Sequence, residues 1–159
     1  MLNEHIRIET ASVEDANAIL KVQKAAFIGQ AKIYNNMKLP PIIQNLKSIK
    51  SEFNDKTFLK VIFKKQIIAS VRYQEKNKQV NIDRIVVIPE YQNQGIGSIL
   101  LREIEKRNPN AISFQLFTGS KSKRNIHLYK KVGYETIGTQ VTNQGIELLH
   151  MKKIRTQQL

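Results

Sequence analysis

Ile85-Val86-Val87-Ile88-Pro89-Glu90-Tyr91-Gln92-Asn93-Gln94-Gly95-Ile96-Gly97 is the stretch that decides how this 159-residue chain folds. Four apolar residues in a row, stopped by a proline, read as the end of a strand covered on both faces, which makes it central. A short loop follows, and from Gln94 to Arg107 the period turns helical, with Ile96, Ile99, Leu100 and Ile104 inward. The first amides of a helix have no internal partner and sit at the positive end of its dipole, so such a junction can receive an anion. Gly95 and Gly97, lacking Cβ, let the backbone come close to a phosphate. Gln92, Asn93 and Gln94 add neutral donors. Glycine pairs also occur in plain tight loops before helices, so composition alone leaves both readings open.

Outward from this segment, Val80 and Ile82 share one strand parity while Ile85 and Val87 have the other, which predicts a bulge near Asp83-Arg84. Thr57 to Phe63 and Ile67 to Tyr73 are rich in β-branched and aromatic residues, and Lys64-Lys65-Gln66 and Lys76-Asn77-Lys78 are turns. Ile6 and Ile8 alternate as a short strand. Ser12-Val13-Glu14-Asp15 has the pattern of a capping box, ahead of a helix through Ala16, Ile19, Leu20, Gln23 and Phe27 that fades near Gly29. Pro40-Pro41 opens a second helix whose Ile42, Leu46, Ile49 and Phe53 share a face.

Downstream, Asn108-Pro109-Asn110 ends the long helix, and Ile112, Phe114 and Leu116 alternate as a strand, parallel to the central one if the helix is a crossover. A short helix from Ser122 to Val132 stops at Gly133, a left-handed C′ position. Tyr134 to Gly138 and Ile146 to Met151, joined through Asn143-Gln144-Gly145, form a closing antiparallel pair. The order describes an α/β (α+β) chain forming one domain over residues 1–159. It implies a mixed six- to seven-stranded sheet with helices on both faces.

Hydrophobic residues at 41% and charged residues at 25% are those of an ordinary globular protein. With no cysteine, a disulfide scaffold, a thiolate nucleophile and a sulfur-ligated zinc are excluded. His5, His127 and His150 lack metal-ligand spacing, so no metal is expected. No apolar run spans a bilayer, and the start lacks a basic segment followed by an apolar one; a cytoplasmic protein without a membrane partner is expected. Twenty-six Lys+Arg against thirteen Asp+Glu give +13, a charge that attracts nucleic acid or a phosphate-rich ligand. The cations are mostly lysine and scattered, densest at Lys121, Lys123, Arg124, Lys130 and Lys131. Arginine is scarce and not interleaved with aromatics, which disfavours nucleic acid. Other phosphate motifs fail: Ile99 and Leu100 stand where a dinucleotide fingerprint needs its third glycine, and Gly119-Ser120-Lys121-Ser122 lacks the first glycine of a P-loop.

Gln92, Gly95 and Gly97 satisfy the Q/R-x-x-G-x-G/A pattern, and the segment resembles the acetyl-CoA signature of the GNAT superfamily of N-acyltransferases. Asn125-Ile126-His127-Leu128-Tyr129-Lys130-Lys131-Val132-Gly133-Tyr134 resembles that family's N-x-x-L-Y-x-x-x-G-F/Y block, and the element order is similar over nearly the whole chain. The stretch from Leu116 through Asn125 also resembles small prokaryotic members of unassigned substrate.

The resemblance implies an acetyl-CoA-dependent N-acetyltransferase with a primary amine of a small molecule or peptide as acceptor. Gln92, Asn93, Gln94, Gly95, Ile96, Gly97 and Ser98 would hold the CoA pyrophosphate. Ile85, Val86 and Val87 would lend backbone to the pantetheine arm, and Asn125 would reach its cysteamine end. The bulge would help splay the two central parallel strands into a V. Tyr129 matches the position of the family's general acid, and Asp83 a place where relatives carry a carboxylate base. Members are often homodimers. Two other readings carry the same fold: a basic nucleic-acid- or ribosome-associated module, and a catalytically silent acyl-CoA-binding sensor.

Overall fold

The computed structural model describes residues 2–155. After a 3₁₀ turn at Leu2–Glu4 come β1 (Arg7–Thr10), a second 3₁₀ turn at Val13–Asp15, and α1 (Ala16–Ile33). Two short helices follow, α2 (Pro40–Ile43) and α3 (Leu46–Glu52), then β2 (Thr57–Phe63), β3 (Gln66–Lys76) and β4 (Gln79–Val87). A 3₁₀ turn at Pro89–Tyr91 leads to α4 (Ile96–Arg107). The chain closes with β5 (Ser113–Gly119), α5 (Lys123–Lys131), β6 (Glu135–Val141) and β7 (Glu147–Ile154). The strands form one mixed sheet of seven in the order β1-β2-β3-β4-β5-β7-β6.

Both early turns are tight two-residue links, with Lys64, Lys65, Asn77 and Lys78 all at positive φ, the backbone that matches hairpin twist. The expected bulge is present. Between the pairs Ser70↔Val86 and Arg72↔Asp83, β3 advances two residues and β4 three, and Arg84 takes a left-handed φ of 52°. Asp15 Oδ2 accepts from the Ser12 backbone N–H (3.0 Å), the reciprocal half of the expected capping box. Gly133, at φ 104°, follows α5 where the left-handed residue was expected.

β4 and β5 pair in parallel only from Gln79↔Ser113 to Asn81↔Gln115. Beyond Asn81 they diverge, and this is the splayed V. Ile88 N–H donates to Ile68 O on the β3 side (3.0 Å). Since amides alternate along a strand, those of Val87 point to the opposite side, into the V.

Four local expectations are corrected. The first helix continues through Gly29 to Ile33, since an exposed helical glycine with open space around it costs only about 1 kcal/mol. The second helix is two: Gln44 and Asn45 leave helical backbone, and Asn45 caps α3 by accepting from Ser48 N–H (2.8 Å). On α4, Leu101 is buried with Leu100, and Ile99 is only half-buried. Ile112 precedes β5 and lies exposed, while Phe114 and Leu116 are buried.

The main core lies between the sheet and α4 and α5, from Leu59, Ile68, Val80 and Phe114 to Leu100, Ile104 and Met151. A smaller one, with Ala16, Ile19, Leu20, Ile49 and Phe58, seats α1 and α3 on the other face. Between that face and the helices lies Arg72, whose side chain is 2% exposed. It ion-pairs with Glu52 of α3, donates to Gln23 Oε1 of α1, and lies 4.7 Å over the Phe58 ring. No described helix is long and apolar enough to cross a membrane.

Candidate functional site

The V opens onto a cavity of about 360 Å³ bounded by α1, the end of β4, the start of α4 and one side of α5. Ile85, Val86 and Val87 form its β4 wall, and Gln92, Asn93, Gly95, Ile96, Gly97 and Ser98 its loop and helix-start wall. Asn125 and Tyr129 project from α5. Two of the sequence candidates are elsewhere. Gln94 points away, its Nε2 donating to Glu90 O (3.4 Å). Asp83 is not in the cavity wall; it is 45% exposed and ion-paired with Lys56 (3.2 Å).

The loop is shaped by its residues in a specific way. Asn93 and Gly95 take left-handed φ of 64° and 84°, reversing the chain so that α4 starts toward the cavity. The first amide of α4 to find a helical acceptor is that of Ile99, on Gly95 O (3.1 Å). The amides before it belong to Ile96, Gly97 and Ser98, all of which line the cavity. Gln92 serves as a strut: its Nε2 donates to Val87 O (2.8 Å), tying the loop to the strand end. Gly97 has a second reason to be glycine, since a Cβ there would sit 2.7 Å from Leu128 Cδ2 on α5.

Several lining residues were not singled out from sequence. Ala26, Phe27 and Gln30 come from α1. Their signal was the helical face of Gln23, Phe27, Gln30 and Tyr34, spaced by four, three and four. Gln30 Oε1 accepts from Ser122 Oγ (2.5 Å), and Tyr34 Oη accepts from Lys121 N–H (3.0 Å), so α1 is tied to the loop before α5. Arg124 bridges the cavity mouth, donating from Nη2 to Gln92 Oε1 (2.8 Å) and from Nη1 to Asn93 Oδ1 (3.4 Å). Lys131 and His127 add to this wall, and no carboxylate lines it.

Tyr129 is buried, and its phenol is pushed above the ordinary tyrosine value, first by desolvation and then by the charge of Asp83. It stays protonated. The arrangement therefore combines a positive, amide-lined pocket, a strand edge beside it that lacks a strand partner, and an undissociated hydroxyl.

A family model described as an acetyltransferase (GNAT) domain matches residues 35–155. The chain belongs to the GNAT family. Among curated relatives, this GNAT chain is 26% identical over 133 residues to UPF0157 protein YqkA of Bacillus subtilis (strain 168), covering 84% of this chain but 38% of that protein. It thus spans well under half of that relative's length. Among solved structures, the ribosomal-protein-S18-alanine N-acetyltransferase of Escherichia coli has a TM-score of 0.78 at 17% identity, covering 97% of this chain and 96% of its own. The PaiA N-acetyltransferase of Thermoplasma acidophilum, solved with coenzyme A, has a TM-score of 0.75 at 19% identity, covering 94% and 99%. At such identities the likeness shows the GNAT fold.

Proposed function

We propose that this chain transfers the acetyl group of acetyl-CoA to a primary amine of a small molecule or peptide by direct attack on the thioester. The observation that carries this reading is the convergence of the Ile96, Gly97 and Ser98 helix-start residues and the edge of β4 that β5 leaves without a strand partner on one cavity. The amides match a diphosphate, and the strand edge matches the amide groups of a pantetheine arm. Arg124 and Lys131 stand where they add positive charge to the phosphate end.

In the reaction the amine nitrogen forms a bond to the thioester carbonyl carbon, giving a tetrahedral oxyanion. The Val87 N–H, directed into the V, is the donor for that oxygen. Collapse breaks the C–S bond, and the CoA thiolate takes the Tyr129 proton. The amine's surplus proton leaves through water, and one proton from that water restores the Tyr129 phenol; Asp83, held by Lys56 and Arg84, takes part only at second hand. Holding both substrates in one cleft contributes about 7–11 kcal/mol toward the barrier at best.

Acetyl-CoA at one hundred times its Kd stabilises by about 2.7 kcal/mol, which for a chain of this size raises Tm by about 5–10 °C. An equimolar short duplex DNA is expected to give no shift. A salt-sensitive shift with DNA and none with acetyl-CoA would favour the nucleic-acid reading. Binding of acetyl-CoA without thiol release across a broad amine panel would favour the silent sensor.

A further inference from the structure

The bulge in β4 places an arginine where backbone geometry resists it. Arg84 sits at φ 52°, a region in which a long side chain is rarely found and which persists where the surroundings enforce it. Gln44, just after α2, holds it there, accepting from Nη1 (3.1 Å), and the Arg84 Nε lies 3.8 Å from Asp83 Oδ1. The other side of Asp83 is taken by Lys56 Nζ at 3.2 Å. Arg84 and Lys56 side chains are still 18% and 27% exposed, and Arg84 Nη2 has no protein acceptor among the described residues. Behind them are Arg72 and Glu52. Three cations, Lys56, Arg72 and Arg84, therefore face two carboxylates, Asp83 and Glu52.

This patch adjoins the reacting end of the cavity. Arg84 immediately precedes Ile85 of the cavity wall, and the Asp83 charge acts on the Tyr129 hydroxyl. An acceptor approaching Tyr129 past the bulge meets a surplus of positive charge, with both carboxylates of the patch already paired. A polycation is repelled there; an acid is attracted. A guanidinium with a spare donor beside an ammonium suits a carboxylate.

We propose that Arg84 and Lys56 form a subsite for an acidic group on the acceptor, so that the amine acetylated by this chain also carries a carboxylate. The proposal rests on the acetyltransferase reading above. Its test measures thiol release from acetyl-CoA with matched amines: amino acids, their carboxamides, and the amines left by decarboxylation. The carboxylate member of each set is expected to have the highest kcat/KM, by at least tenfold. Arg84→Gln should abolish that preference through KM, leave acetyl-CoA affinity unchanged by calorimetry, and be partly rescued by Arg84→Lys. Should Arg84→Gln fail to fold, the Lys56→Gln variant, at a part-exposed position, should reduce the same preference.

Carboxamides or decarboxylated amines used as well as the acids, or a preference unaltered in the variants, would overturn the subsite while leaving the transferase intact. Thiol release with none of these amines, but with others that lack any acidic group, would do the same. Absence of thiol release with every amine would overturn the transferase reading and the subsite with it.

Discussion

Tyr129 enters the cavity from α5, and burial and the Asp83 charge both raise its pKa. Both act against the phenolate, so the group can donate a proton at neutral pH and cannot serve as a base. Tyr129→Phe removes the proton and keeps the ring, so kcat is expected to fall by about 10²- to 10⁴-fold. Acetyl-CoA affinity, read by calorimetry, should stay within about twofold, since the residues proposed to hold the diphosphate and the pantetheine arm are elsewhere. Because its folded pKa lies above the ordinary 10.0, wild-type rates should show no descending limb at that pH from this group. An unchanged kcat in the variant would give the proton to water. Tyr129 could be named from sequence because it stands in a spaced block with Asn125 and Gly133. Arg124 could not be singled out, because its partners Gln92 and Asn93 lie about thirty residues away and only folding brings them within reach.

The junction of β4 and α4 was legible because one element's end and the next one's start are adjacent in sequence, and the parity slip marks the bulge locally. The α1 boundary was not, since tertiary packing of Ala31 and the ties at Gln30 and Tyr34 carry the helix past Gly29. The two glycines of the junction, similar in the sequence, do different work. Gly95 has open space around it and a φ of 84°, so Gly95→Ala pays only backbone strain, about 1–2 kcal/mol. Gly97 has ordinary helical backbone, but a Cβ there would press on Leu128 Cδ2 at 2.7 Å. Gly97→Ala is expected to cost at most about 1 kcal/mol, as the tip of the half-buried Leu128 side chain turns aside and part of the loss is offset by helix propensity. Urea denaturation of Gly97→Ala, Leu128→Ala and the double variant separates the two cases. The double variant should be more stable than the sum of the singles predicts, whereas Gly95→Ala combined with Leu128→Ala should be additive.

For the molecule as a whole, one buried cation ties the helical layer on the Arg72 face to the sheet. Arg72 of β3 meets Glu52 of α3 and Gln23 of α1, and Gln23 Nε2 in turn donates to Pro41 O of α2 and to Gln44 Oε1 just after it, both at 2.9 Å. Gln44 also accepts from Arg84, so the same amides that seat α1 and α2 hold the bulge residue at the edge of the V. The sequence hid this arrangement: an arginine between Val71 and Tyr73 alternates as if it faced solvent, and Gln23 looked like a break in an apolar face. Both are buried because they satisfy each other across 49 residues of chain. Desolvation pulls the guanidinium down to about 10 against the opposing pull of Glu52, so it remains charged at neutral pH. Removing it strands the Glu52 carboxylate and the Gln23 Oε1 acceptor. Arg72→Met is therefore expected to cost about 3–5 kcal/mol, a large part of the stability of a chain this size. Adding Glu52→Gln should restore part of that loss in urea denaturation, because the stranded charge is gone. Since Gln23 then loses its tie to the sheet, and Gln44 leans on Gln23, acetylation should weaken in both variants even at temperatures where they remain folded. A loss below 1 kcal/mol, or full activity in folded Arg72→Met, would show that α1 and α2 are seated by their apolar contacts alone.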